Sequence, residues 1–153
     1  MNVRFINPFI ESISSVFTTM LSTKTERLGL KVSDRPASEG EITALVGISG
    51  GVHGVVVLRF PPETALELAS RMLGTKLSEM NDEVIDAMAE IVNMVAGSAK
   101  AKFQHDPPLQ LGLPTVVEGS QYRVKYPTKS AWLEVPFQTD AGKFSMEVTF
   151  SSN

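Results

Sequence analysis

The chain has 153 residues, 42% hydrophobic and 20% charged, with a formal net charge of −3. Those values fit one soluble globular domain spanning 1–153, long enough to bury a real core, and they give no basic footprint for nucleic acid. The lack of cysteine excludes disulfides and thiolate chemistry, and no run nears the roughly 18 consecutive apolar residues of a membrane helix. Met1 to Ile10 carries one arginine and no long apolar run, so no secretory signal is expected there, and a cytoplasmic address is the expectation.

Asn7-Pro8 predicts the start of a first helix, with Asn7 as N-cap and Pro8 at the first helical position. Phe9, Ile13, Val16, Phe17 and Met20 mark its apolar face. Lys24 to Arg27 reads as a polar connection, Leu28 to Val32 as a first strand and Ser33 to Gly40 as a loop. Ile42 to Ile48 and Val52 to Phe60 read as strands of a hairpin around Ser49-Gly50-Gly51. Pro61-Pro62 opens a short helix with Ala65, Leu66, Leu68, Ala69, Met72 and Leu73 on its apolar side, and Gly74 stops it.

A long helix is predicted from about Asn81 to Gln104, closed by Asp106-Pro107-Pro108. Val84, Ile85, Met88, Ile91, Val92, Val95, Ala99 and Phe103 form its apolar face; Glu83, Asp86, Glu90, Asn93, Gly97, Lys100 and Gln104 step along the other. Thr115 to Val117 is a short strand beyond Pro114, and Ser120 to Thr128 an irregular connection. Trp132 to Gln138 and Lys143 to Phe150 form a terminal hairpin around Thr139 to Gly142. The expected fold class is α+β, an antiparallel sheet covered by long amphipathic helices.

The long helix carries the candidate chemistry. Glu90 and Asn93 stand three residues apart on its polar side, so they are surface neighbours. A carboxylate grips a cation on a partner, and a carboxamide orients a water. An E-x-x-N pair is in most proteins a solvated helix face, but two features here point further. Gly97, one turn on, costs a helix about 1 kcal/mol relative to alanine and leaves room for another backbone or a phosphoryl group. Asn93 does nothing to strengthen a helix.

Rival sites are weaker. Asp82, Asp86 and Glu90 step by four, but no histidine completes a helical metal motif, so a negative field for a cationic partner is expected rather than an intrinsic metal. Gly47 to Gly54 lacks the lysine and hydroxyl of a phosphate loop and lies between strands, where a hairpin turn accounts for it; Gly47 and Gly54 are also places for bulges or close packing. His53 and His105 have no serine–acid or cysteine partner nearby in sequence, and Trp132 and the phenylalanines are expected in the core.

Several blocks together resemble the CheX branch of the CheC/CheX/FliY group of chemotaxis phosphatases. These are Ile6-Asn7-Pro8-Phe9-Ile10, the strand pair around Gly47 to Gly54, Ala69 to Gly74 and, above all, Asp86 to Gly97 with its E-x-x-N-x-x-x-G pattern. The resemblance implies a CheC/CheX-like fold and hydrolysis of the aspartyl phosphate on a CheY-type response regulator. It implies that Glu90 contacts a lysine of the regulator's active site and that Asn93 positions the attacking water. Asp86 and Gly97 are expected on the partner-binding face, Gly97 as a packing or approach position. It further implies no intrinsic cofactor, Mg2+ on the partner regulator, and a homodimer through a shared or exchanged sheet edge. In the first helix Glu11-Ser12-Ile13-Ser14 puts a serine where a second asparagine would stand, so one active site per chain is expected. The alternative is a non-catalytic module that docks a regulator or flagellar-switch component through the same helix; a purely structural dimerisation domain is a third.

Overall fold

A computed structural model describes residues 5–103, 108–126 and 131–152. Its elements in chain order are α1 (Asn7–Leu21), β1 (Thr25–Arg27), β2 (Lys31–Val32), β3 (Glu41–Ser49), β4 (Val52–Phe60), α2 (Pro62–Leu73), α3 (Asp82–Lys102), β5 (Gln110–Leu111), β6 (Thr115–Gly119), β7 (Leu133–Thr139) and β8 (Gly142–Ser152). The strands form one eight-stranded sheet in the order β1-β7-β8-β4-β3-β5, with β2 also on β7 and β6 also on β3. Every pairing is antiparallel. This is the expected α+β arrangement.

The alternation of β3 and β4 sends Ile42, Ala44, Val46, Val56, Leu58 and Phe60 into the core shared with the helices. Aromatic rings fill its centre: Phe144 stacks on Phe17 at 4.7 Å, on Phe137 at 5.1 Å and on Phe60 at 5.5 Å between centroids. Phe9, Phe103 and Phe150 close one end. Trp132, expected with them, is half-buried and is not among the core side chains.

Local structure departs from expectation at five places. The N-cap of α1 is Ile6, whose carbonyl accepts from both Phe9 and Ile10 at 3.0 Å, and Asn7 is the first helical residue. Ile6 is buried, so packing fixes the turn there without a side-chain cap. Thr25 to Arg27, read as a connection, is strand β1 on β7; of Leu28 to Val32 only Lys31-Val32 is strand. Three residues lie between Arg27 and Lys31, whereas two lie between their partners Phe137 and Glu134, so the ladder bulges. Gly29, at φ +147°, sits in the bulge, and Pro136 opposite has no N–H for a ladder bond, though its carbonyl accepts from Leu28 at 2.9 Å. β5 is an additional strand, two residues long and too short to show a period, and β6 runs on to Gly119. Gln104, His105, Asp106, Pro107 and residues 127–130 lie outside the described residues.

The hairpin at Ser49-Gly50-Gly51 forms as expected, with Gly50 at φ +100°. A Cβ at Gly54 would collide with the Thr149 carbonyl and the Phe150 ring, which is the close strand approach anticipated there; Gly47 meets no such neighbour.

The sheet face away from the helices is covered by chain without regular structure. Ala37 and the Gln121-Tyr122 segment exchange backbone hydrogen bonds of 2.7 and 3.1 Å, and the Tyr122 hydroxyl bonds Thr43 at 2.5 Å. Under this cover lies a charged network. Arg59 pairs with Glu41 at 3.2 Å and with Glu147, while Arg35 reaches Glu134 at 2.9 Å and Glu41 at 3.5 Å. Ser33 donates to Glu147 at 3.2 Å, and Arg35 donates to Ser145 at 3.1 Å.

Candidate functional site

The site stands on α3. Asn81 caps the helix, its side-chain oxygen accepting from the Val84 N–H at 3.2 Å. Asp82 and Glu83 lie in the first turn and Lys100 and Lys102 in the last, the polarity that the helix dipole favours. Val84, Ala87, Met88, Ile91, Val92, Val95, Ala96 and Ala99 are buried, so one side of α3 is locked into the core along its length. Ile85 and Phe103, expected on that face, are half-buried at its margin, and Ala87 and Ala96 widen it.

The opposite side is open. Asp86, Glu90, Asn93 and Gly97 are all exposed. At 3.6 residues per turn they fall within an arc of about 60° and along about 16 Å of helix. The structure therefore brings together all four expected site residues on one stripe. Among the described residues, no hydrogen bond or ion pair engages the side chains of Asp86, Glu90 or Asn93. The carboxylate and the carboxamide are thus held by backbone geometry alone, with their polar atoms free for another molecule.

Gly97 is open as well: a Cβ built there meets nothing within 4 Å outside its own stretch of helix. Packing inside this chain does not demand a glycine at that position. Four surface grooves of about 170 to 650 Å³ have neither Glu90 nor Asn93 in their walls. The pair sits on a projecting helix rather than in a pocket that would enclose a small molecule.

Among the described residues no three His, Cys, Asp or Glu side chains are grouped to hold a metal ion, and no helix is long and apolar enough to cross a membrane. His53 is half-buried on β4, opposite Ser151 of β8. Glu11 and Ser14 are exposed on α1 at the same i, i+3 spacing as Glu90 and Asn93, with a hydroxyl in place of the amide.

An antiparallel sheet thus carries its helices on one face, and an unengaged acid–amide pair stands on the open side of the longest of them. A family model described as chemotaxis phosphatase CheX matches residues 42–138, a span that holds the whole stripe. The chain belongs to the chemotaxis phosphatase CheX family, and is thereby a phosphatase. It is 26% identical over 127 residues to the CheY-P phosphatase CheX of Thermotoga maritima, covering 82% of each chain. Two solved structures share its fold over nearly their full length. The CheC-like superfamily protein of Shewanella sp. PV-4 is 28% identical with a TM-score of 0.88, covering 99% of this chain and 100% of that one. The chemotaxis protein CheX of Vibrio vulnificus is 28% identical with a TM-score of 0.85, covering 97% and 99%.

Proposed function

We propose that this phosphatase hydrolyses the aspartyl phosphate of a CheY-type response regulator, with Asn93 positioning the attacking water and Glu90 contacting the lysine of the regulator's active site. The observation that carries the reading is the unengaged acid–amide pair on the open side of α3. The Thermotoga relative, a CheY-P phosphatase, supports the choice of substrate.

Phosphoryl transfer needs a nucleophile in line with the leaving oxygen and neutralisation of charge on the equatorial oxygens. The regulator, with Mg2+ and its own lysine, supplies the charge. The phosphatase is left to supply orientation, which is worth several orders of magnitude when a water is held in near-attack geometry. The carboxamide of Asn93 accepts a hydrogen bond from the water and donates one to a neighbouring oxygen. Glu90 fixes the register of the two proteins through a charge-assisted bond. Asp86, one turn earlier, adds a second carboxylate to the contact, and Gly97 lets the partner's backbone come close. The chain needs no cofactor of its own in this scheme, and the cytoplasmic address follows from that of the regulator.

A homodimer through a sheet edge belongs to the same reading. Leu28, Leu30 and Val32, on or beside the outer strands of β7, are 49%, 41% and 74% exposed, which supports an edge that is covered in an assembly. Sedimentation of the wild type and of a Val32→Lys variant tests it: a dimer weakened by the lysine is expected, and a wild-type monomer at working concentration overturns it.

The test of the function is the rate of dephosphorylation of the cognate regulator. Glu90→Ala should weaken binding about tenfold or more, the scale of a lost hydrogen bond to a charged group, and lower the stimulation with it. If the wild type leaves the decay of every CheY-type regulator of its genome unchanged, the substrate assignment is wrong.

A further inference from the structure

A groove of about 350 Å³ opens beside the first turn of α3, walled by Met80, Asn81, Asp82, Ile85, Val116 and Glu118. Its origin is topological. β6 has a single neighbour, β3, in the register Ala44↔Val116 and Ile42↔Glu118, which turns Val116 and Glu118 toward the same face as the buried Ala44 and Ile42. Helix α3 covers β3 on that face and leaves a gap over the outer strand. Met80, Ile85 and Val116 pack partly against the core and make an apolar floor. Asp82 and Glu118 are exposed at the rim and have no salt-bridge partner among the described residues.

An apolar floor with carboxylates at the rim matches a side chain with a hydrocarbon stem and a cationic head. The helix N-terminus contributes only about half a positive charge there. The Asn81 cap takes one of its free N–H groups, and two carboxylates outweigh the remainder.

Asp82 is the wall residue that turns toward the stripe. In helical projection Asp82 lies about 20° from Asn93 and precedes Glu90 by about 12 Å along the axis, whereas Ile85, about 7 Å before Glu90, lies about 140° round the helix on the flank toward the sheet. A standard interface covers about 800 Å² per partner, a disc of about 16 Å radius, so a regulator centred on Glu90 reaches the groove's rim at Asp82, from which a long side chain can extend over the flank into the groove.

We infer that this groove receives a lysine or arginine side chain of the regulator lying outside the regulator's own active site, and that Ile85, Asp82 and Glu118 thereby select which regulator the phosphatase serves. The inference rests on the function proposed above. Contacts remote from the reacting phosphoryl group that are made equally before and during reaction change KM and leave kcat in place.

The experiment measures kcat and KM for the phosphorylated cognate regulator, at low and high salt, with wild type, an Asp82→Asn, Glu118→Gln double variant and Ile85→Arg. Both variants should raise KM about tenfold at constant kcat, and the double variant should lose part of the wild-type salt dependence. The double variant removes charge without changing shape, so its result stands even if Ile85→Arg disturbs folding. An active wild type whose double variant keeps the same KM and salt slope overturns the groove while leaving the phosphatase reading intact. An inactive wild type removes the phosphatase reading itself. If Ile85→Arg instead converts a dimer to a monomer in sedimentation with KM unchanged, the groove seats a second copy of this chain and the inference is wrong.

Discussion

Asn93 is a mediocre helix former inside a 21-residue helix, exposed and without a side-chain partner among the described residues. It adds nothing to the fold, and this makes its replacement informative. Gly97 offers the same contrast in sharper form, since nothing in the chain stands where its Cβ would be. Gly97→Ala should therefore raise the free energy of unfolding by about 1 kcal/mol, the helix-propensity difference, as read by urea denaturation. Gly97→Leu, which fills the open side, should lower the stimulation of regulator dephosphorylation while the fold stays at least as stable. A leucine variant with full activity would show that no partner approaches there. Asp86, Glu90, Asn93 and Gly97 were all legible in the sequence, because the 3.6-residue period sorts them onto the side away from Val84, Met88, Ile91 and Val95 without any tertiary knowledge.

At the level of elements, α3 earns its rigidity from a capped start, a complementary dipole and a fully buried side. Asn81→Ala removes the cap and should cost about 1 kcal/mol of stability, measurable by the same denaturation. The end nearest the groove is then the first to fray, so loss of regulator affinity should accompany it. The helices and the two long hairpins were read from periodicity to within a few residues. The misreadings have a common cause in contacts distant along the chain. The split of β1 and β2 depends on a bulge around Gly29 opposite Pro136, whose carbonyl accepts from Leu28, and the turn before α1 is set by burial of Ile6 instead of a polar cap. β5 is held by two register pairs to β3 and has no pattern of its own.

Across the whole molecule the largest feature hidden from the sequence is the charged layer on the far side of the sheet. Glu41, Arg59, Glu134 and Glu147 occupy strand positions that alternate with core residues, which ordinarily means a solvated face. They are buried because the irregular segments around Ser33 to Gly40 and Gln121 to Tyr122 fold over them, and such segments carry no periodic signal. Arg59 is 2% exposed and pairs with Glu41 and Glu147, so Arg59→Met leaves two buried carboxylates short of a partner. A loss of about 3–5 kcal/mol in unfolding free energy is expected, as read by urea denaturation.

The same layer governs the response to acid. Burial pushes the Glu134 carboxyl up, but the hydrogen bond and charge of Arg35, with Lys31, outweigh it and hold the pKa below its ordinary 4.5. Its stabilisation is present above that value and is lost as pH falls through the lower, folded one. Glu147 runs the other way: burial raises it, the Glu134 charge adds to this, and Arg59 and Arg35 offset only part. The folded state takes up a proton there more readily than the unfolded chain, which favours folding as pH drops through the raised value. Glu134→Gln should therefore flatten the loss of stability below pH 4.5, and Glu147→Gln should steepen the fall on the way to it, as followed by urea denaturation across pH.

Whether the Asn93 amide positions the attacking water is read most directly from the decay of the phosphorylated cognate regulator with wild type and Asn93→Ala, run beside binding to the same regulator. The variant should fold at least as well as wild type, keep much of its affinity and lose about 100-fold of the stimulated rate, the scale of a mispositioned reactant. Full stimulation by Asn93→Ala would contradict the account, since no water-positioning role could then belong to Asn93.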